Sequence, residues 1–221
     1  METRFFGDQN ADTVLIQPID IRGLDSVPRE LKLIENDTGK DLLIAAVIVD
    51  DWNHDMSPWK APAVFGEEGF GDGAARTLEY ILSDVIPHII TPEKRNSEES
   101  NSITRKLYLG GYSLAGLFSL WAAYNTDSFD AVAAVSPSVW FPGFLDYVRA
   151  GHIQMGKVYL SIGDKEEKVR NNVVSRVGDN LREIHRLLTS LGVDTTLEYN
   201  PGNHFRDPEA RVSKGFSNII L

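Results

Sequence analysis

Lys106-Leu107-Tyr108-Leu109-Gly110-Gly111-Tyr112-Ser113-Leu114-Ala115-Gly116-Leu117-Phe118-Ser119-Leu120-Trp121 passes from an aliphatic run, through two glycines and a serine, into a helical pattern. Strand, glycine turn, serine, small residue and helix in that order make a nucleophile elbow, in which a strained turn lifts a hydroxyl above the carboxyl edge of a sheet. The residues two before and two after such a serine must be small, and Gly111 and Ala115 hold those places. The following helix turns its amino end toward the hydroxyl, so the Leu114 amide can stabilise a developing oxyanion. The Gly-x-Ser-x-Ala pattern alone is a weak signal in a chain with 18 glycines. A glycine-rich structural turn is the competing reading, and the position between strand and helix favours the elbow.

Outward from this point the chain alternates in type. Short β-branched or aliphatic runs at 13–19, 42–49, 106–110, 131–135, 158–162 and 195–199 read as strands. Helical patterns lie between them at 28–35, 74–86, 114–124, 144–149 and 171–191. The last is best defined: Val173, Val177, Leu181, Ile184, Leu188 and Leu191 recur at three- and four-residue steps, and Gly192 follows as a stop. The 42–49 strand is apolar on both faces, which requires helices above and below it. Strands alternating with helices give βαβ units and a mostly parallel sheet, so the expected fold is an α/β three-layer sandwich in one domain spanning 1–221. Residues 91–104 are polar, with Glu93, Lys94, Arg95, Glu98 and Glu99, and read as a flexible surface insertion. In an open parallel sheet the ligand sits beyond the carboxyl ends of the strands, and the search for chemistry belongs in the strand-to-helix loops.

Composition narrows the chemistry. The chain has 221 residues, 42% of them apolar, which suits one ordinary globular core. It has no cysteine, so thiol nucleophiles, disulfides and Cys-ligated metals are excluded. With 32 acidic against 22 basic residues the net charge is −10, which argues against a nucleic-acid or anionic-lipid surface. Residues 1–8 lack the charged-then-apolar plan of a signal peptide, and no apolar run approaches the roughly 20 residues a bilayer requires. A cytoplasmic enzyme or binding protein acting on a small molecule is the expectation, with no cofactor or metal implied and the oligomeric state unread.

An activated serine needs a base and a group that orients the base. Of five histidines, His185 lies on the polar flank of the long helix, His88 sits among isoleucines, and His152 falls at the wrong end of the sheet. His204, in Asn200-Pro201-Gly202-Asn203-His204-Phe205, follows the last strand and lies at the carboxyl edge. The acid is expected in Gly163-Asp164-Lys165-Glu166-Glu167, after the 158–162 strand. Glu166 has the reach to turn toward the histidine, Asp164 is the alternative, and a Ser–His dyad is a third possibility. The loop after the 42–49 strand should give the second oxyanion amide, at Asp51 or Trp52. Trp59, Trp140 and Phe141 read as an apolar or stacking wall for substrate, with His54 and Tyr112 as further contacts. Rim packing is the competing reading for the tryptophans.

The order Ser113, acid, His204 is that of α/β-hydrolases. Gly110–Leu120, the stretch Ser-Phe-Asp-Ala-Val-Ala-Ala-Val-Ser-Pro-Ser-Val-Trp-Phe at 128–141, Gly-Asp-Lys-Glu-Glu at 163–167 and Pro-Gly-Asn-His at 201–204 resemble an esterase family within that fold. Its members include enterochelin (siderophore) esterases, feruloyl and acetyl-xylan esterases, and esterase D-like enzymes. His54-Asp55-Met56-Ser57-Pro58-Trp59-Lys60-Ala61-Pro62, with Phe70-Gly71-Asp72-Gly73, also looks like this group, so the likeness covers about 42–205. The resemblance implies an α/β-hydrolase fold and a carboxylic-ester hydrolase with Ser113, His204 and most readily Glu166 at its site. Ala115 stands where glycine is usual, the region before Leu42 is short enough to shorten the N-terminal strands, and nothing after 131–135 is long enough for a large lid. A thioesterase or acyltransferase on the same site, or a binding protein that retains the fold, are the alternative functions.

Overall fold

The computed structural model describes residues 1–90 and 105–221. The 91–104 segment, expected above to be a flexible insertion, lies outside the described residues. In chain order the elements are β1 (Glu2–Gly7), β2 (Thr13–Ile19), α1 (Val27–Thr38), β3 (Leu42–Ile48), α2 (Trp52–Asp55), α3 (Ala74–Tyr80), α4 (Ile86–Ile90), β4 (Lys106–Tyr112), α5 (Leu114–Ala122), β5 (Ala131–Val135), α6 (Phe144–Ala150), β6 (Lys157–Gly163), α7 (Val177–Ser190), β7 (Asp194–Asn200) and α8 (Pro208–Ile220). The strands form one seven-stranded sheet in the order β1-β3-β2-β4-β5-β6-β7. β1 runs antiparallel to β3, and the remaining pairs are parallel.

The pleat sorts side chains into two cores. On β3, Leu43, Ala45 and Val47 enter one core while Leu42, Ile44, Ala46 and Ile48 enter the other. The first core takes Leu78, Ile89, Leu117, Phe118, Phe144, Leu181 and Leu188 from α3 to α7; the second takes Val27 and Ile34 from α1 with Val212, Phe216 and Ile219 from α8. Every residue of β2 and β3 is buried, as strands covered on both faces must be. The result is the α/β/α sandwich of an α/β-hydrolase. The N-terminal antiparallel part is reduced to one strand, and between β5 and β6 the chain builds only α6, which leaves no lid on that side.

Two strands separate where the site forms. β2 pairs with β4 only from Thr13↔Lys106 to Ile16↔Leu109, whereas its pairing with β3 continues to Ile19↔Ile48. Pro18, which has no N–H to give a second neighbour, lies in the stretch that has parted from β4. Connections leave this point in opposite directions, β2 to β3 one way and β3 to β4 the other. That is the switch point at which an open α/β sheet places its ligand.

Several boundaries differ from the sequence expectation. β1 and α8 were not anticipated. The 171–191 helix is shorter: α7 begins at Val177 after a single 3-10 turn, and Val173 and Leu191, counted above in its stripe, are exposed. The 74–86 helix is interrupted at Ile81–Val85 by a π turn and resumes as α4, with Pro87 in its first turn.

Candidate active site

Ser113 sits between β4 and α5 with φ 61° and ψ −119°, a backbone conformation that side chains rarely adopt and that persists only where the surroundings enforce it. What enforces it is tight contact across the turn. A Cβ added to Gly111 would stand 2.5 Å from the Ala115 Cβ, so glycine is required on one side once alanine occupies the other. The Ser113 amide donates to Val135 O at 3.1 Å, and its carbonyl accepts from the Leu117 amide at 3.0 Å and the Ser138 amide at 3.1 Å. The Leu114 amide, at the first helical position, has no carbonyl partner within its helix.

The serine hydroxyl lies 3.0 Å from His204 Nε2, and the other ring nitrogen, Nδ1, lies 2.7 Å from Glu166 Oε2. Asp164 does not reach the histidine: its Oδ1 accepts the Gly202 amide at 2.7 Å. This bond ties the acid-bearing loop to the histidine-bearing loop, as does the Lys165 amide on Gly202 O at 3.1 Å. Of the two acids considered from sequence, Glu166 is the one brought to the imidazole.

Glu166 is 4% exposed, and its second oxygen, Oε1, is fully engaged. It accepts from Gly163 N at 2.7 Å, Ser136 Oγ at 2.8 Å and Arg211 Nη1 at 2.9 Å. Burial alone pushes this carboxyl up, but the His204 hydrogen bond and charge, the Gly163 amide and the Ser136 hydroxyl together outweigh it and hold the group below the ordinary carboxylate range. Ser136, with φ 42°, and Arg211, on the unanticipated α8, escaped the sequence reading. A serine two residues before another and an arginine in a polar-looking segment carry no local motif. Ser138 Oγ lies 3.3 Å from Ser113 Oγ and was missed for the same reason.

The other expected contacts divide. The cleft beside Ser113, of about 580 Å³, is lined by Trp52, Tyr112 and His204, by the end of β2 with the turn after it, and by the start of α8. Tyr112 borders the cleft, yet its hydroxyl is committed to His204 O at 2.6 Å. Trp52, at the first position of α2, borders it as well. The neighbouring Asp51 amide is spent on Asp55 Oδ2 at 3.2 Å, which removes it as an oxyanion donor.

Trp59, Trp140, Phe141 and His54 are not in that lining, contrary to expectation. Trp59 gives its indole N–H to Pro142 O at 2.9 Å and packs against Phe141, Phe144 and Tyr147. Trp140 packs on Phe65 and Phe70, and Phe141 on Phe70. These rings bury one another, which is the packing reading of the tryptophans. His54 lies against Gly71 and Gly73, with Asp55 Oδ1 3.2 Å and Asp72 Oδ1 3.6 Å from its nitrogens. Among the described residues no three His, Asp or Glu side chains are grouped to hold a metal ion, and no helix is long and apolar enough to cross a membrane.

A mostly parallel sheet with a serine at its central strand-to-helix turn and a histidine and carboxylate on later strand-end loops defines an α/β-hydrolase. The chain belongs to the family described as "Putative esterase", whose model matches residues 35–205, and it is accordingly a carboxylic-ester hydrolase. Solved structures with the same fold include the siderophore hydrolase EstA from Aspergillus nidulans, with TM-score 0.70 and 19% identity over 97% of this chain and 85% of that one. An IroE-like serine hydrolase from Shewanella oneidensis aligns with TM-score 0.73 and 19% identity over 96% of this chain and 71% of that one. The enterobactin esterase FES from Shigella flexneri aligns with TM-score 0.69 and 15% identity over 98% of this chain, which spans 54% of it. At these identities the likeness is one of fold. No curated protein sequence matches the chain.

Proposed function

We propose that the chain hydrolyses a small carboxylic ester through an acyl-enzyme on Ser113, with His204 as general base and acid and Glu166 holding the imidazolium. The observation that carries this reading is the continuous line of contacts from Ser113 Oγ to His204 Nε2 at 3.0 Å and from Nδ1 to Glu166 Oε2 at 2.7 Å. Nε2 takes the hydroxyl proton as Oγ bonds to the ester carbon, and the carbonyl oxygen becomes an oxyanion bound by the Leu114 and Trp52 amides. When the intermediate collapses, the ester C–O bond breaks and Nε2 returns the proton to the departing alcohol. Water then repeats the sequence on the acyl-enzyme and releases the acid and the free serine.

The siderophore hydrolases and enterobactin esterase among the structural neighbours make iron-chelator esters the first class to try. The cleft is lined by Asp20, Arg22, Asp25, Glu30 and Glu209; Asp20 pairs with Arg22 and Glu209 with Arg29, and the acidic excess left by Asp25 and the buried Glu30 favours neutral or cationic esters over anionic ones. The test is an organophosphonate serine probe followed by a substrate panel of aryl acetates, hydroxamate-siderophore esters, catecholate esters and thioesters. Labelling at Ser113, lost in Ser113→Ala together with ester turnover, supports the reading. Absent labelling supports a binding protein, and thioester preference would move the assignment to a thioesterase.

A further inference from the structure

Arg211 lies in the second turn of α8 and is 3% exposed, so its guanidinium is out of water. Its five contacts go to four separate pieces of the active site. Nη1 donates to Glu166 Oε1 at 2.9 Å, to Tyr112 Oη at 3.2 Å and to Ser136 Oγ at 3.3 Å. Nη2 donates to Pro201 O at 3.1 Å and Asn203 O at 3.0 Å, the two carbonyls that flank Gly202 just before His204. Tyr112 in turn donates to His204 O. The acid, the strand that carries the serine and the loop that carries the histidine are therefore all fastened to one planar cation.

The approach is close enough to restrict its neighbours. A Cβ on Gly163 would stand 2.9 Å from Nη2 and 2.4 Å from Gly202 O, so that residue must be glycine for the arginine and the loop to pass. Only a planar fork with donors on both arms can hold a carboxylate and two carbonyls at once; an ammonium group offers charge without that spread.

We infer that Arg211 is a positioning residue for catalysis, fixing Glu166 and the 201–204 loop in register so that Nε2 meets the serine hydroxyl. This rests on the triad reading above. The charge has a second effect. The titratable groups gathered here are Tyr112 from β4, Asp164 and Glu166 after β6, His204 after β7 and Arg211 from α8; Asp164 bonds Gly202, and Arg211 touches Glu166 and Tyr112. A fixed positive charge 2.9 Å from Glu166 Oε1 favours the ionised carboxylate.

The experiment measures kcat, KM and the pH profile of kcat/KM on an aryl acetate, with rates normalised to sites titrated by a fluorophosphonate, for wild type, Arg211→Gln, Arg211→Lys and the exposed α8 control Lys214→Met. In Arg211→Gln, kcat per site should fall about 100-fold with little change in KM. Its acid limb should shift, because Glu166 loses the cation that favours its ionised form. Arg211→Lys should keep the limb near its wild-type position while kcat falls roughly 10-fold, since charge is restored without the fork. Lys214→Met should match wild type. Lowered melting temperatures with unchanged kcat per site and unchanged limbs would reduce Arg211 to a structural residue and overturn the inference. If Arg211→Gln does not fold, wild-type kcat per site in Arg211→Lys overturns it equally. Failure of wild type to label at Ser113 would overturn the triad reading itself, and this inference with it.

Discussion

Asp164 and Gly202 are joined by a hydrogen bond of 2.7 Å from the glycine amide to the carboxylate, and that bond stitches the loop after β6 to the loop after β7. Both acids considered for the site therefore serve the histidine by different routes: Glu166 touches the ring, and Asp164 touches the loop that carries it. Asp164→Ala should cost about 1–3 kcal/mol in stability, the loss of a charge-assisted bond to a backbone amide, and reduce kcat by roughly 10-fold. Glu166→Gln should reduce kcat by about 10³-fold or more. Equal losses from the two variants in a steady-state assay would contradict the division of roles.

The Trp52 amide, proposed as the second oxyanion donor, can be removed without breaking a hydrogen bond inside α2. Trp52 occupies the first position of α2, where proline is tolerated because the amide there has no partner inside the helix. Trp52→Pro should lower kcat about 10²–10³-fold, and Trp52→Ala, which keeps the amide, should lower it far less. Comparable kcat in both variants would exclude this amide as an oxyanion ligand.

The acid side of the stability curve follows from Glu166. Its folded-state pKa lies below the unfolded value, so the stability it contributes is present above the unfolded carboxyl pKa of roughly 4.3 and is lost as pH falls through the lower folded value. Unfolding by urea below about pH 4 should therefore show a stability loss in wild type that is absent in Glu166→Gln.

Glu30 has the opposite sign. It is 3% exposed, with Gln17 Nε2 and Ser26 Oγ each 2.9 Å from its oxygens, while the buried Gln17 Oε1 finds no donor. Burial raises its pKa despite those two bonds, so its ionised form costs stability that is recovered as pH falls through the raised value. Glu30→Gln removes the buried charge while an amide oxygen can still accept from Gln17 Nε2. The variant should be about 1 kcal/mol more stable than wild type at pH 8, and the difference should shrink near pH 4, as read by thermal melting.

The elbow and the alternating strands were legible because both leave local marks: two-sided apolar runs for β2 and β3, and small residues at fixed distances around Ser113. His204 and Glu166 were reachable because topology dictates which loops lie at the carboxyl edge. β1 was hidden, since Glu2-Thr3-Arg4-Phe5-Phe6-Gly7 is a short edge strand with one face in solvent. α8 was hidden for another reason: Arg211, Ser213 and Ser217 are inward residues, so its buried face reads as polar and breaks the periodicity. The aromatic residues misled in the other direction. Trp59, Trp140 and Phe141 follow strand ends where substrate walls stand, but large rings that can reach one another bury one another, and no single-sequence pattern distinguishes the two outcomes.

Arg211 lies in α8, forty-five residues after the carboxylate that it contacts. Until α8 docks on β4, β5 and β6, Glu166 has its Gly163, Ser136 and His204 partners but lacks the guanidinium that ties its loop to the 201–204 loop. The proposed nucleophile and its acid thus precede in the chain the cation that would hold them in register, so the site's geometry depends on the docking of α8.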